Sequence, residues 1–251
     1  MKTSLRLPDA HVSLAKNDSF ETQAGTHVLN NVRMIPGQEK ELVVLSDPRA
    51  YRSMSRASLL VSAVGLDLAD VIKSLIDADP FSVGIYCAIN NGPEDYTSAS
   101  ELRNGNPDEF AIQYKRLRNP KHYLKQLPNL APAQLGIFLG AFGPTNTYSH
   151  SRFGVRHALK HAMQDLRSGK VKGALVCSAF AHEDILLSFR SRMGLESSRV
   201  LSEGAAALFM ETTDLDREFN VIPKEDQTSF TSDFFGIADD LIKLIQQGEF
   251  K

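Results

Sequence analysis

The chain has 251 residues, enough for one large α/β unit with a sizeable core, and this length argues against a small peptide or a repeat array. Apolar residues make up 42% and charged residues 23%, the balance of a globular protein and not of a disordered one. The formal charge of −2 leaves no positive field that would draw the chain to nucleic acid or to an anionic membrane.

The first 40 residues are polar and rich in turn formers. One short strand is expected near Val12–Ala15, and a clearer apolar strand is expected at Leu42–Leu45. The opening has no apolar stretch of the kind that a signal peptide needs, and no segment approaches the roughly 20 apolar residues of a membrane span. We therefore expect a soluble, unprocessed chain.

The next region combines helix-like and strand-like patterns. Apolar residues from Met54 to Leu75 recur at helical spacing, and Gly65 is expected to divide them into two helices. The run Val83–Ile89 reads as a buried strand because turn formers follow it at once. Its Cys87 and the later Cys177 are the only cysteines, and both lie in apolar runs. We interpret them as buried thiols of a reducing, cytoplasmic protein.

Between Pro93 and Pro132 the chain is polar, broken by prolines, and carries a basic cluster. The members of this cluster are Lys115, Arg116, Arg118, Lys121, His122 and Lys125. Such a cluster is typical of a solvated helix face, and the alternative is a docking surface. Both interpretations stay open from the sequence.

The second half of the chain alternates between helix and strand patterns. A helix is expected at about Ser151–Ser168, ended by Gly169, with Val155, Leu159, Ala162 and Leu166 forming its apolar stripe. Buried strands are expected at Gly173–Ala179 and Ala205–Glu211, with a mixed helix near Glu183–Met193 between them. This order predicts a layered α/β sheet.

The last 40 residues begin as a polar linker and end in an amphipathic pattern. Phe234, Ala238, Leu241 and Ile245 share one face of a helix expected at 233–247, with Ser232 or Asp233 as its N-cap. We accordingly divide the chain into a domain at 1–212 and a linker with a terminal helix at 213–251 that packs on it.

Three stretches resemble the β-ketoacyl synthases of fatty-acid and polyketide assembly. Residues 140–180 resemble the nucleophile region, where a Gly-Pro-Ser/Thr step leads to the turn that bears the active Cys. Arg52–Val64 and Ser202–Glu211 are similar to a helix and to the "gEGagalvLE" strand of that family. The resemblance implies the amino-terminal half of a thiolase-like fold, layered α/β with a central mixed sheet.

The departures from the family's pattern bear on catalysis. An ungapped alignment puts Arg152 where the family has its nucleophilic Cys, and a shift of one residue puts Ser151 there. A protonated guanidinium cannot attack an acyl group. No His follows His182, so the two His of the family's carboxy-terminal half are expected to be missing. Arg152 is then either a turn residue in a salt bridge or a filler of a vestigial pocket.

A truncated chain-length factor, the ketosynthase β-subunit of type II polyketide systems of the Gram-negative aryl polyene or aromatic type, has this profile. The resemblance implies a non-catalytic subunit that pairs with a full-length ketosynthase, as a heterodimer or heterotetramer. It implies no cofactor of its own, with substrates carried on the phosphopantetheine of an acyl carrier protein. The suspected interface and tunnel residues are Phe142, Tyr148, His150, Phe153, Tyr96 and Phe110.

Two other functions remain as alternatives. Ser151 and His157 could form the dyad of an acyl-transferring or hydrolysing enzyme, if they reach each other and a third group orients the His. The cluster at Lys115–Lys125 could instead dock an acidic carrier protein. The dispersed His and Cys residues predict no metal site, and no nucleotide-binding glycine motif is present.

Overall fold

The computed structural model describes residues 1–8, 28–29, 32–93, 95–149, 153–184, 187, 193, 201–212 and 235–247. The strands are β1 (Lys2–Arg6), β2 (Val28–Leu29), β3 (Val32–Arg33), β4 (Val83–Ala88), β5 (Thr145–Tyr148), β6 (Gly173–Phe180), β7 (Leu201–Ser202) and β8 (Gly204–Glu211). The helices are α1 (Glu39–Leu42), α2 (Arg56–Leu66), α3 (Ala69–Ala78), α4 (Tyr96–Asn104), α5 (Phe110–Leu117), α6 (Pro120–Gln126), α7 (Leu130–Leu139), α8 (Gly154–Arg167) and α9 (Asp239–Gln247). Short 3₁₀ turns lie at Ala50–Ser53, Pro107–Glu109 and Gly236–Ala238.

A five-stranded mixed sheet in the order β1-β8-β6-β4-β5 forms the centre of the molecule. Strand β4 runs parallel to both β5 and β6, whereas β8 runs antiparallel to both β6 and β1. A smaller sheet pairs β3 with β2 and β7. The predicted central mixed sheet is therefore confirmed.

Side chains of the central strands alternate between two apolar cores, as the period of a strand requires. Ile85 and Cys87 of β4 lie in the core beneath α2, α3 and α7, which is called the front core here. Tyr86 and Ala88 lie in the back core, beneath α8 and α9. Because helices cover both faces, the middle strands are buried over their whole length, which explains their nearly continuous apolar sequences.

The prediction of two helices is confirmed, but Gly65 does not divide them, because it lies within α2 and the break falls at Asp67 and Leu68. The predicted stripe of α8 is confirmed too, because all four of its residues are buried. Gly169, with φ of 72°, ends α8 in the left-handed conformation that suits glycine. The predicted strands at Gly173–Ala179 and Ala205–Glu211 correspond to β6 and β8.

The predicted strand at Leu42–Leu45 is wrong. Leu42 ends α1, and the extended residues after it pair with none of the described strands. The Tyr51 hydroxyl takes the place of a partner: it accepts from the Leu45 N–H at 3.0 Å and donates to the Val43 carbonyl at 2.7 Å. Val43 and Leu45 are buried, whereas Val44 is 86% exposed. These residues therefore show the alternating burial of a strand, but they lack a partner among the described strands.

The terminal helix begins later than the sequence predicts. The proposed caps Ser232 and Asp233 and the face residue Phe234 lie outside the described residues, as does the strand expected at Val12–Ala15. Gly236, with φ of 49°, belongs to a 3₁₀ turn, and the α-helix starts only at Asp239. Leu241 and Ile242 are fully buried against the sheet.

A buried ion pair joins four segments of the chain. The Glu203 carboxylate, between β7 and β8, accepts from Arg56 Nε of α2 at 2.8 Å, from the Ile35 N–H at 2.9 Å and from His182 Nδ1 at 2.8 Å. Arg56 also donates to the carbonyls of Ile35 and Gly37. Burial opposes the ionisation of Glu203, but the His182 and Arg56 hydrogen bonds and the Arg56 charge outweigh it and lower its pKa.

Replacing Glu203 by Ala should destabilise the fold by about 3–5 kcal/mol, because Arg56 would be left buried without its counter-charge. Guanidinium denaturation with parallel circular dichroism measures this loss. The control Asp67→Ala removes the exposed pair with Arg6, where both side chains are at least 37% accessible, and should cost about 0–1 kcal/mol.

The native chain and the Glu203→Ala variant also provide a test by pH. Since the folded pKa of Glu203 is lowered, its stabilisation is present above the ordinary value of 4.5 and is lost as the pH falls through the folded pKa. The stability gap between the native chain and Glu203→Ala should therefore narrow below about pH 4.5. Equal costs for both variants at pH 7 would contradict this account of the pair.

Candidate functional site

The candidate site lies where β5 ends and α8 begins, around the turn that the sequence assigns to the nucleophile. His150, Ser151 and Arg152 of that turn lie outside the described residues, whereas Tyr148 and Phe153 on its two sides are placed. The entry to β5 is set by Gly143, where an added Cβ would lie 2.2 Å from the Val83 carbonyl oxygen. Only glycine allows the chain to pass β4 this closely.

Aromatic and imidazole rings cluster at this junction. Tyr148 meets His157 edge-on at 6.5 Å and His161 at 6.3 Å between ring centroids. Phe153 stacks on His157 at 6.3 Å, with the Arg156 guanidinium 5.6 Å from its ring centroid. Two of the suspected tunnel residues, Tyr148 and Phe153, therefore both contact His157.

A polar network continues from this cluster into the back core. The Tyr148 hydroxyl lies 2.5 Å from His161 Nδ1, and His161 Nε2 lies 3.9 Å from the Asp165 carboxylate one turn along α8. Asp165 accepts from the Tyr86 hydroxyl at 2.7 Å and from Lys170 Nζ at 3.2 Å. The network thus ties the edge strand β5, the central strand β4 and α8 to one carboxylate.

Electrostatics keep the carboxylate and the two phenols of this network in one charge state. Burial opposes ionisation of Asp165, but the hydrogen bonds from Tyr86 and Lys170 and the charge of Lys170 outweigh it and lower its pKa. Burial, then the Asp165 hydrogen bond, raises the pKa of Tyr86 well above its usual range. Burial also raises the pKa of Tyr148 to about 12. Both phenols therefore stay protonated at neutral pH. They can donate hydrogen bonds or pack against apolar groups, but they do not act as nucleophiles.

The geometry gives no support to a dyad of Ser151 and His157. His157 is exposed, and its described contacts are with the rings of Tyr148 and Phe153. Among the described carboxylates, none bonds to its imidazole, so no placed third group orients it as a base. The imidazole next to a carboxylate in α8 is that of His161, which also lies beside Tyr148.

Phe142 and Phe110, two more of the suspected tunnel residues, have their described ring contacts outside this cluster. Phe142 is 57% exposed and tilts against Phe81 at 6.3 Å between centroids. Phe110 is 52% exposed and stacks on Tyr114 within α5. Tyr96 opens α4, and nothing is described of its side chain.

Sequence reasoning missed Tyr86, His161, Asp165 and Lys170. A signal existed for one of them, since Asp165 lies three residues after Ala162 on the apolar stripe of α8 and is itself buried. A buried carboxylate within an apolar stripe requires polar partners. Tyr86 could not have been identified as that partner, because the pairing of β4 with α8 depends on the tertiary fold.

Both cysteines are buried in the front core on adjacent strands, as Cα partners in the parallel register of β4 and β6. Burial raises the pKa of Cys87, and burial together with the neighbouring Cys87 raises that of Cys177. Within the described residues, no group of three or more His, Cys, Asp or Glu side chains could hold a metal ion. No helix in that part of the chain is long and apolar enough to cross a membrane.

Comparison with known proteins supports the fold. No family model matches the chain, and no curated protein matches it. A β-ketoacyl synthase from Burkholderia phymatum STM815 is similar to it over 72% of this chain and 47% of that one, with 18% identity and a TM-score of 0.55. The ishigamide ketosynthase/chain length factor is similar over 72% of this chain and 49% of that one, with 20% identity and a TM-score of 0.52.

A third similar structure is a type II polyketide-synthase acyl carrier protein in complex with its hexaketide-bound ketosynthase. It matches 72% of this chain and 54% of its own, with 17% identity and a TM-score of 0.58. The chain thus spans about half the length of the solved structures it matches. These likenesses confirm the predicted thiolase-like, ketosynthase-type fold.

Proposed function

We propose that this chain is a non-catalytic chain-length factor that pairs with an active ketosynthase and shapes the tunnel in which a carrier-bound chain elongates. The observation that carries the proposal is the position of the only two thiols. Cys87 and Cys177 are 0% exposed on neighbouring strands, with raised pKa values. A ketosynthase needs an accessible thiolate, and a ketosynthase-type fold without one is suited to a structural role.

The residues at the nucleophile position support the same conclusion. In the sequence alignment this position holds Arg152 or Ser151. A guanidinium stays protonated and cannot attack, and a serine hydroxyl needs a base that is itself oriented by a third group. His157, the base suggested by the sequence for Ser151, contacts aromatic rings and has no carboxylate partner among the described residues.

The edge strand β5 is our candidate for the pairing surface. The carbonyls of Pro144 and Tyr148 accept from the N–H groups of Ile85 and Ile89. Since ladder bonds of a parallel pair alternate along the strand, Thr145 and Thr147 direct their backbone groups away from β4. Within the described part of the chain no strand pairs with this edge, so it is open to a strand of a partner.

Apolar side chains flank this open edge and suit an interface. Phe142 is 57% exposed just before β5, and Ile137 of α7 is 67% exposed. Such exposed residues beside an unpaired strand mark a surface for protein contact. The proposed partners are a full-length ketosynthase, in a heterodimer or heterotetramer, and an acyl carrier protein whose phosphopantetheine holds the substrate. Free buried thiols are compatible with the cytoplasm as its compartment.

The isolated chain should neither decarboxylate malonyl carrier protein nor transfer acyl groups, because it offers no accessible thiolate. Incubation with acyl and malonyl carrier proteins, followed by carbon dioxide release, measures this. In the complex with the ketosynthase, the Ser151→Ala substitution in this chain should leave the rate of carbon dioxide release unchanged. Replacing the active Cys of the ketosynthase by Ala should abolish that release. Turnover by the isolated chain that Ser151→Ala removes would instead establish the hydrolase alternative.

The pairing should depend on the backbone of β5. Thr147→Pro removes an outward N–H that β4 does not use, so the chain should fold but lose its ketosynthase in affinity copurification. The matched control Thr147→Val keeps the N–H and the strand propensity, and it should copurify normally. Undiminished copurification of a folded Thr147→Pro chain would exclude β5 as the pairing edge.

The chain should set product length through bulk near this edge. Leucine in place of Phe142, Tyr148 or Phe153 shortens a side chain that can bury roughly 150–250 Å², so at least one variant should yield longer products from an intact complex. Product mass and complex yield are measured together. Tyr148→Phe isolates the lost hydroxyl, and Phe81→Leu removes an exposed ring next to Phe142 as a control. Unchanged lengths for all three leucine variants would remove these residues from the tunnel.

A further inference from the structure

The chain contains two Asn-Gly steps, Asn91-Gly92 and Asn104-Gly105, and both lie between β4 and α7. At such a step the glycine backbone nitrogen can attack the carbonyl carbon of the Asn side chain, because glycine has no side chain to hinder the approach. Both Asn residues are exposed, so exposure alone does not distinguish the two steps. The surroundings of the two glycine nitrogens do.

Gly92 is held in place by the end of α6. The residue is buried, and its N–H donates to the Gln126 carbonyl at 3.2 Å. A Cβ added to Gly92 would lie 1.8 Å from the Lys125 carbonyl oxygen, so the two backbones are in direct contact there. Attack on the Asn91 side chain would require the hydrogen bond to break and the two segments to separate, which is a local unfolding event.

Gly105 follows the last residue of α4 and lacks such a hydrogen bond. At the ends of α3, α5 and α8, the first residue past the helix donates its N–H to a carbonyl of the last turn. At the end of α4, no described carbonyl accepts from the Gly105 N–H. The Asn104 amide lies 3.4 Å from the Ser100 hydroxyl, beyond the usual range of a hydrogen bond. Neither reacting group of this step is therefore fixed by a strong bond.

The space around Gly105 allows the backbone rotation that the attack requires. The atom nearest to a Cβ added there is Oε1 of Gln113, the far end of a flexible side chain, whereas at Gly92 it is a main-chain oxygen. Asn104 must leave the helical conformation to bring its side chain to the Gly105 nitrogen. Because Asn104 is the last residue of α4, and helix ends fray, this change disturbs little else.

We propose that Asn104 is a site of spontaneous modification in the folded chain, where the side-chain amide becomes aspartate or isoaspartate through a cyclic imide. The Gly105 nitrogen loses its proton to hydroxide and forms a bond to Cγ of Asn104. The Cγ–Nδ2 bond then breaks, and the nitrogen leaves as ammonia with a proton taken from water. Water opens the imide at either carbonyl, so the main chain continues through the α-carboxyl or the side-chain carboxyl. This inference does not rest on the proposed function.

Either product changes the junction between α4 and α5. A new carboxylate at the end of α4 is opposed by the negative end of the helix dipole. Isoaspartate also adds a methylene to the main chain two residues before Asn106, whose side chain accepts from the Asp108 N–H and caps the next turn. Isoaspartate is the residue that isoaspartyl carboxyl methyltransferases recognise, so an enzyme of that class is a probe for the modified site.

The test follows both steps in the same whole chain, incubated at mildly alkaline pH in water enriched in heavy oxygen. Mass spectrometry of proteolytic peptides measures conversion at each Asn, and the incorporated heavy oxygen excludes conversion during digestion. In the folded chain Asn104 should convert at least about tenfold faster than Asn91. In urea, where the contacts of Gly92 are lost, the two rates should come within about threefold of each other. The methyltransferase should label the Asn104 peptide of the aged folded chain.

Gly105→Ala is the matched control. The φ of −79° suits alanine, so circular dichroism should not change, but the added methyl hinders the nitrogen. Conversion at Asn104 should fall at least about tenfold, while conversion at Asn91 stays the same. Equal rates in the folded chain, faster conversion at Asn91, or an unchanged rate in Gly105→Ala would overturn the proposal. So would conversion of Asn104 in urea alone. The comparison of the two steps needs no variant, so it decides even where Gly105→Ala does not fold.

Discussion

The buried contact between Glu203 and Arg56 is the constraint on which the rest of the structure depends. One carboxylate with no exposed surface holds the 35–37 segment, the start of α2, the end of β6 and the start of β8. Two charges are costly to bury, so all their hydrogen bonds must form together. This requirement fixes how α2 lies on the sheet, and hence where the front core closes over the two thiols.

The polar network on the opposite face performs a similar function for the edge of the sheet. Asp165 binds Tyr86 of the central strand, and the neighbouring His161 contacts Tyr148 of β5. The strand edge is thereby held in register with α8, even though only four residues of β5 pair with β4. Side chains thus hold this short edge strand from behind, while its other edge pairs with none of the described strands.

The sequence correctly predicted the elements in which the apolar pattern matches the residues that are buried. Buried strands such as β6 are continuous apolar runs, and the stripe of α8 repeats at helical spacing. The prediction of a strand failed beside Val43, because the Tyr51 hydroxyl bonds to the backbone where a partner strand would. The predicted start of α9 was too early, because Gly236 belongs to a 3₁₀ turn that precedes the helix. The polar network around Asp165 could not be predicted from the sequence either. Tyr86 and Asp165 are 79 residues apart, and only the packing of α8 on β4 brings them together.

The position of β1 affects the order in which the chain can fold. Thr3 pairs with Leu208, so β1 waits for β8, which follows much later in the chain, before its ladder can form. At about 5–20 residues per second, a ribosome would need roughly 10–40 seconds to bridge that separation. During this interval β1 and the open side of β6 remain unpaired edges, the segments most exposed to chaperones and to mispairing. The ladders of β1 and β6 with β8 can therefore form only after β8 has been made, whereas β4, β5 and β6 precede β8 in the chain and can pair earlier.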